Sequence, residues 1–216
     1  VLRELSEPIV GRDLRNYLHS QMTNKYARRS RQGLLVHELS QCKKRVDFDS
    51  VKEQVAELRR WHPRLMIGEL IHQGVFQALT RLYQGSSIVI EGEFVKEVAG
   101  YCVVGHPDVV IYEGGSPLKV VDIKYSTRRV DKVDKAYACQ VALYRWLTDA
   151  KYASILFVTP SDIIEVPVNV HLDVASHIKR WETTFPLWGP EECEWCEYKH
   201  ICGFSKKREV YVEPLD

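Results

Sequence analysis

No apolar run in this chain approaches the roughly 20 residues that a bilayer-crossing helix needs, so a membrane partner is not expected. The amino terminus lacks the charged-then-apolar layout of a secretion signal, and its start at Val1 fits a trimmed end. Internal repeats and low-complexity tracts are absent, which sets aside solenoids and disordered tails. There is no Walker-type phosphate loop, and hence no helicase motif. Net charge is nearly missing as well: 30 Lys and Arg against 29 Asp and Glu leave +1. Cysteine is not scarce. Six cysteines without a secretion signal point to a reducing, cytoplasmic setting and to metal ligation over disulfides.

What remains is an ordinary globular composition. With 216 residues, 45% apolar and 27% charged, the chain can bury a sizeable core in one domain. Its charge is uneven. Residues 10–45 hold nine Lys or Arg against two Asp or Glu, and residues 186–216 hold four against seven. A basic amino-terminal segment can offer one face to a polyanion, although a solvated surface gives the same count.

Periodicity divides the chain into segments. Residues 11–20 and 50–62 have helical apolar spacing, the second with Ser50 as a candidate N-cap, and residues 66–85 read as an amphipathic helix stopped by Gly85. Val- and Ile-rich strands follow over 87–97, 100–112 and 118–125, with Gly-containing turns between them. A helix over 131–149, strands over 154–160 and 163–170, and a helix over 173–188 complete the order before a cysteine-rich tail. That order predicts an α/β or α+β fold with a mixed central sheet flanked by helices.

The stretch GHPDVVIYEGGSPLKVVDIKYS carries the chemistry. Folding at Gly114-Gly115 sets Asp108 nearly opposite Asp122, and Asp122 shares a strand face with Lys124. An acid and a lysine inside an apolar strand are costly unless compensated. A buried salt bridge is one compensation; a bound divalent cation is another. Two carboxylates can hold Mg²⁺ or Mn²⁺, the Ile123 carbonyl can add a neutral oxygen, and Lys124 can orient water or meet developing charge.

Pro107-Asp108 followed by Asp122-Ile123-Lys124 resembles the PD-(D/E)xK nuclease superfamily, whose restriction-endonuclease-like core the predicted elements match. His72 in GELIHQG and the Gln140…Tyr144 pair in ACQVALY narrow the resemblance to its RecB-like branch. This implies metal ligation by His72, Asp108, Asp122 and Ile123, with Lys124, Asp108, Asp122, Gln140 and Tyr144 as catalytic residues. Gln140 and Tyr144, one helical turn apart, are expected to contact DNA or brace the lysine.

The tail ECEWCEYKHIC places Cys193, Cys196 and Cys202 within ten residues. Cys102 and Cys139 sit in apolar segments and read as buried thiols, whereas Cys42 lies in a polar, basic context and is the candidate fourth ligand. Four thiolates suit Zn²⁺ and iron–sulphur clusters alike, and His37 or His200 could replace a cysteine in a zinc site. One upstream cysteine with C-x₂-C-x₅-C resembles the iron–sulphur RecB-like nucleases, most of all the CRISPR-associated exonuclease family that forms the fourth core member of the Cas set. The resemblance implies a [4Fe–4S] cluster, with [2Fe–2S] or zinc as the alternatives. It further implies a single-strand DNA exonuclease working with the CRISPR integrase machinery in spacer acquisition. The expected layout is one nuclease domain over 1–216, in which the Cys42 region and residues 189–204 form the cluster module around a core at 63–188. A recombination or repair nuclease domain, and a non-catalytic binding module of the same fold, are the competing expectations. Basic residues between Arg12 and Arg45, with Arg128, Arg129 and Lys132, are expected to meet phosphates, and Tyr17 and Tyr26 to stack on bases.

Overall fold

The computed structural model describes residues 13–14, 16–18, 20, 33–52, 62–84 and 87–206. Its elements are β1 (Leu34–Leu35), α1 (Val36–Leu39), α2 (Lys43–Val51), α3 (Pro63–Leu82), β2 (Ile88–Ile90), β3 (Phe94–Val98), β4 (Tyr101–Gly105) and β5 (Val109–Glu113). There follow β6 (Ser116–Tyr125), α4 (Lys135–Thr148), β7 (Tyr152–Val158), β8 (Ile163–Pro167) and α5 (Val174–Thr183), then single turns at Glu191–Glu194 and Gly203–Lys206.

Five strands form the main sheet in the order β2-β5-β6-β7-β8, and a smaller sheet has the order β1-β4-β3. Only β6–β7 is parallel in the main sheet, and α4 makes the crossover that a parallel pair requires. In the smaller sheet β1 runs parallel to β4 and β3 antiparallel to it. The mixed sheet predicted from element order is therefore present.

Alternation along β5 and β6 divides the core. Val110 and Val120 face a cluster under α4 and α5 that includes Leu143, Ile155, Ile178 and Trp181. Val109, Val121 and Ile123 face Phe76 on α3 instead. Asp122 and Lys124 take the parity of Val120 and so point towards α4. Gly105 lets α4 sit close, because a Cβ there would lie 2.6 Å from Leu147 and 3.0 Å from Tyr144.

Several predicted segments shift. The strand expected over 87–97 breaks into β2 and β3 at Glu91, whose φ of 49° leaves the β region. The one expected over 100–112 breaks at His106-Pro107-Asp108, where proline has no N–H for the ladder. Ser50 does not start a helix: it lies inside α2, and its hydroxyl donates to the Asp47 carbonyl at 2.7 Å. Residues 53–61, Gly85, Arg12 and Tyr26 fall outside the described residues. The α3 helix begins at Pro63, a residue suited to a first turn. The helix expected over 173–188 ends at Thr183, with Asp173 capping its start through a 3.2 Å bond from the Ser176 N–H.

Candidate active site

The hairpin sets the two acids. Gly114 and Gly115 have φ of 57° and 80°, the left-handed pair that a two-residue turn requires. A regular hairpin about that turn would place Asp108 opposite Val121. The ladder instead changes register between Tyr112↔Pro117 and Ile111↔Lys119, leaving Leu118 as a bulge. Beyond it Val109 faces Val121, so the next step places Asp108 opposite Asp122. One extra residue thus puts both carboxylates on the same face.

Burial makes that pairing consequential, since Asp108 is 9% exposed and Asp122 2%. Burial, followed by the Asp122 charge, raises the Asp108 pKa to about 6, against the opposing pull of His72, Lys124 and the Ile123 N–H. That N–H donates to Asp108 Oδ2 at 2.6 Å. Lys124 Nζ stands 2.7 Å from Asp122 Oδ2. It is the charged partner of an otherwise buried Asp122 Oδ2. Burial acts to discharge Lys124, but Asp122 and Asp108 outweigh it and hold the lysine charged, above its ordinary value.

From α4 two side chains extend the row. Lys124 Nζ donates to Gln140 Oε1 at 3.3 Å, and Gln140 Nε2 donates to the Tyr144 hydroxyl at 3.3 Å. Burial and then the two carboxylates keep the Tyr144 phenol protonated. From α3, His72 Nε2 lies 2.9 Å from the Ile123 carbonyl oxygen, and His72 Nδ1 lies 3.8 Å from Asp108 Oδ1. The sequence-derived set of His72, Asp108, Asp122, Ile123, Lys124, Gln140 and Tyr144 thus lines one cleft of about 670 Å³.

Glu69, Glu91, His106, Arg128, Tyr137 and Trp195 share that cleft. Glu91 escapes sequence reading because only its backbone turn, with its N–H on the Asp108 carbonyl at 3.1 Å, brings it there. Trp195 escapes because nothing local relates the cysteine tail to the hairpin. Glu69, Glu91, Asp108 and Asp122 set four carboxylates against Lys124 and Arg128, an imbalance that a divalent cation would offset. The donors are oxygens plus one imidazole, which suits Mg²⁺ or Mn²⁺. Among the described residues no three His, Cys, Asp or Glu side chains already stand in ligating geometry.

A second cavity is lined by Cys42, Cys193, Cys196 and Cys202, although Cys42 is 151 residues from Cys193 in the chain. Burial, with neighbouring Cys42, Cys196 and Cys202, raises the Cys193 thiol to about 11. A thiophilic cation would relieve that mutual opposition, so the donor chemistry fits zinc or an iron–sulphur cluster. The histidine substitutes do not join it: His37 lines the cleft of the acids, and His200 is exposed outside the cysteine cavity. Cys139 is buried as expected, while Cys102 is only half-buried.

Protein contacts also join the two cysteine segments. Glu192 accepts from the Cys42 N–H at 2.7 Å and the Trp188 N–H at 3.1 Å. Tyr198 donates to Asp49 at 2.6 Å and stacks on Phe48, and Arg45 pairs with Glu197 at 2.9 Å. The basic run after Cys42 is accordingly engaged within the chain. Lys43 pairs with Asp47 at 2.6 Å, and Lys44 lies 5.0 Å over Phe185. Tyr17 is exposed and Arg129 pairs with Asp131 at 3.2 Å.

Residues 12–203 match the family model of the PD-(D/E)XK nuclease superfamily. The chain belongs to that superfamily. Among curated proteins it is similar to the CRISPR-associated exonuclease Cas4 of Saccharolobus solfataricus, 27% identical over 179 residues, covering 78% of this chain and 86% of that protein. Among solved structures it shares the fold of SSO0001, with TM-score 0.75, 22% identity and coverage of 88% of this chain and 96% of the other. This PD-(D/E)XK nuclease therefore acts on nucleic acid. No helix among its described residues is long and apolar enough to cross a membrane.

Proposed function

We propose that this nuclease is a divalent-metal-dependent DNA exonuclease that prefers single strands and works beside the CRISPR integrase machinery in spacer acquisition. The observation that carries the reaction class is the row Asp108, Asp122, Lys124, Gln140, Tyr144 in one cleft, two of its members buried acids in need of positive charge. Similarity to a protein named CRISPR-associated exonuclease supports the biological setting. The retained acids and lysine speak against a non-catalytic module.

A Mg²⁺ or Mn²⁺ ion held by His72, Asp108, Asp122 and the Ile123 carbonyl would supply Lewis-acid polarisation of the phosphodiester. Lys124, kept charged by the acids, is placed to orient water and to donate towards charge building on the phosphoryl oxygens. Gln140 fixes the direction of that ammonium through its carbonyl oxygen, and Tyr144 holds Gln140 in turn. Lys124 is 20% exposed and faces the cleft, where a substrate phosphate can reach it. Cys42, Cys193, Cys196 and Cys202 would hold a [4Fe–4S] cluster, or [2Fe–2S] or zinc, as a clamp between the amino-terminal segment and the tail.

The test compares end-labelled linear and covalently closed circular single-stranded DNA in Mn²⁺. The linear strand should be shortened from an end, the circle should survive, and a chelator should stop the reaction. Cleavage of the circle would replace exonuclease by endonuclease. No cleavage with any divalent metal would remove the enzymatic reading.

A further inference from the structure

The wall of the acidic cleft is not built from the nuclease elements alone. Trp195, between Cys193 and Cys196 in sequence, lines the same cleft as Asp108, Asp122 and Lys124. Its side chain is 81% exposed, although an indole gains more from burial than almost any other group. The loop carrying it is anchored on both sides. Glu192 bonds the Cys42 and Trp188 amides at 2.7 and 3.1 Å, Glu197 pairs with Arg45 at 2.9 Å, and buried Tyr198 donates to Asp49 at 2.6 Å. A second aromatic, Tyr137 on the first turn of α4, also lines the cleft, with its ring 5.0 Å from Lys124 Nζ and its side chain 40% exposed. Arg128 adds a cation to the same lining.

An anchored, exposed indole beside a phosphodiester-cleaving site has a natural ligand in an unpaired base. We propose that Trp195 is a stacking platform that holds a base of a single strand while the neighbouring phosphate enters the cleft at Lys124. This rests on the nuclease reading above. Every base has a π-face, so such a platform is tolerant of sequence. In a duplex both faces are already stacked, so the platform favours frayed or single-stranded ends. The cysteine module thereby contributes substrate selection as well as a clamp.

The experiment measures the affinity of a labelled oligothymidylate, and of an equally long strand lacking bases, in an Asp122→Ala background. Adding Trp195→Ala should weaken oligothymidylate binding roughly tenfold, on the scale of base–aromatic stacking, and leave the baseless strand unchanged. Trp195→Phe should restore most of the loss. Unchanged oligothymidylate affinity, or equal losses on both strands, would overturn the proposal. Cleavage by the wild type in Mn²⁺ separates the two readings. If the wild type cleaves while Trp195→Ala binds normally, stacking alone fails. If nothing is cleaved but the base-dependent loss persists, the platform stands and the nuclease reading fails.

Discussion

Three side chains surround the Lys124 ammonium. Asp122 holds its charge, Gln140 its direction, and the Tyr137 ring lies 5.0 Å from Nζ. Removing Gln140 leaves the ammonium charged but free to turn. Gln140→Ala should therefore lower turnover about tenfold with Mn²⁺ affinity unchanged, as expected for a group that positions a catalytic one. Combining it with Tyr144→Phe should cost little more, since both act through one hydrogen-bond row. Steady-state rates for the four proteins of that cycle, with Mn²⁺ titrations, provide the check. Additive losses would place Tyr144 in some other role.

At the scale of elements, the site depends on how α4, α5 and the β5–β6 hairpin are held. The hairpin was legible from Gly114-Gly115, and so was the opposition of Asp108 to Asp122; the Leu118 bulge that secures it was not, because no residue type announces a bulge. The Gln140–Tyr144 spacing was legible as one helical turn, and α4 presents Gln140 to the lysine and Tyr144 to Gln140. The packing of α5 offers a separate test. His177 is buried, stacked 6.0 Å from Trp188, with Nε2 2.9 Å from the Leu39 carbonyl oxygen and 3.5 Å from Cys139 Sγ. Burial lowers its pKa; the Leu39 carbonyl opposes that and Arg180 adds to it. An unfolded histidine takes up protons near pH 6.5, before the folded one does. The stability it contributes is thus present above pH 6.5 and is lost as pH falls through the lower folded value. Thermal midpoints measured from pH 7.5 to 5 should decline less steeply in His177→Gln than in the wild type. Identical slopes would mean that another group carries the acid sensitivity.

For the molecule as a whole, the two cysteine segments meet in one cavity although they lie far apart in the chain. The tail reads as a metal motif from C-x₂-C-x₅-C, with Cys42 as candidate partner from its polar surroundings, and all four cysteines line one cavity. What sequence could not relate was tail to cleft, because Trp195 reaches the acids only through the folded path of the chain. The basic run at 43–45 meets Asp47, Glu197 and aromatic rings within the protein. A metal held by these four thiolates, as proposed, would stabilise by binding only the folded state. Cys42→Ser should lower the thermal midpoint by several degrees and release iron or zinc, with metal analysis and melting curves as the readout. An unchanged midpoint with full metal content would exclude Cys42 as a ligand.

The proposed mechanism divides labour within the hairpin: acids hold a cation and Lys124 serves the reaction. The most direct measurement is Mn²⁺ binding by calorimetry, paired with cleavage of end-labelled single-stranded DNA, for the wild type, Asp122→Ala and Lys124→Ala. Asp122→Ala should lose both. Lys124→Ala should still bind Mn²⁺ yet cleave at least about a hundredfold more slowly, the order of a general acid–base contribution. Wild-type rates in either variant would contradict the account.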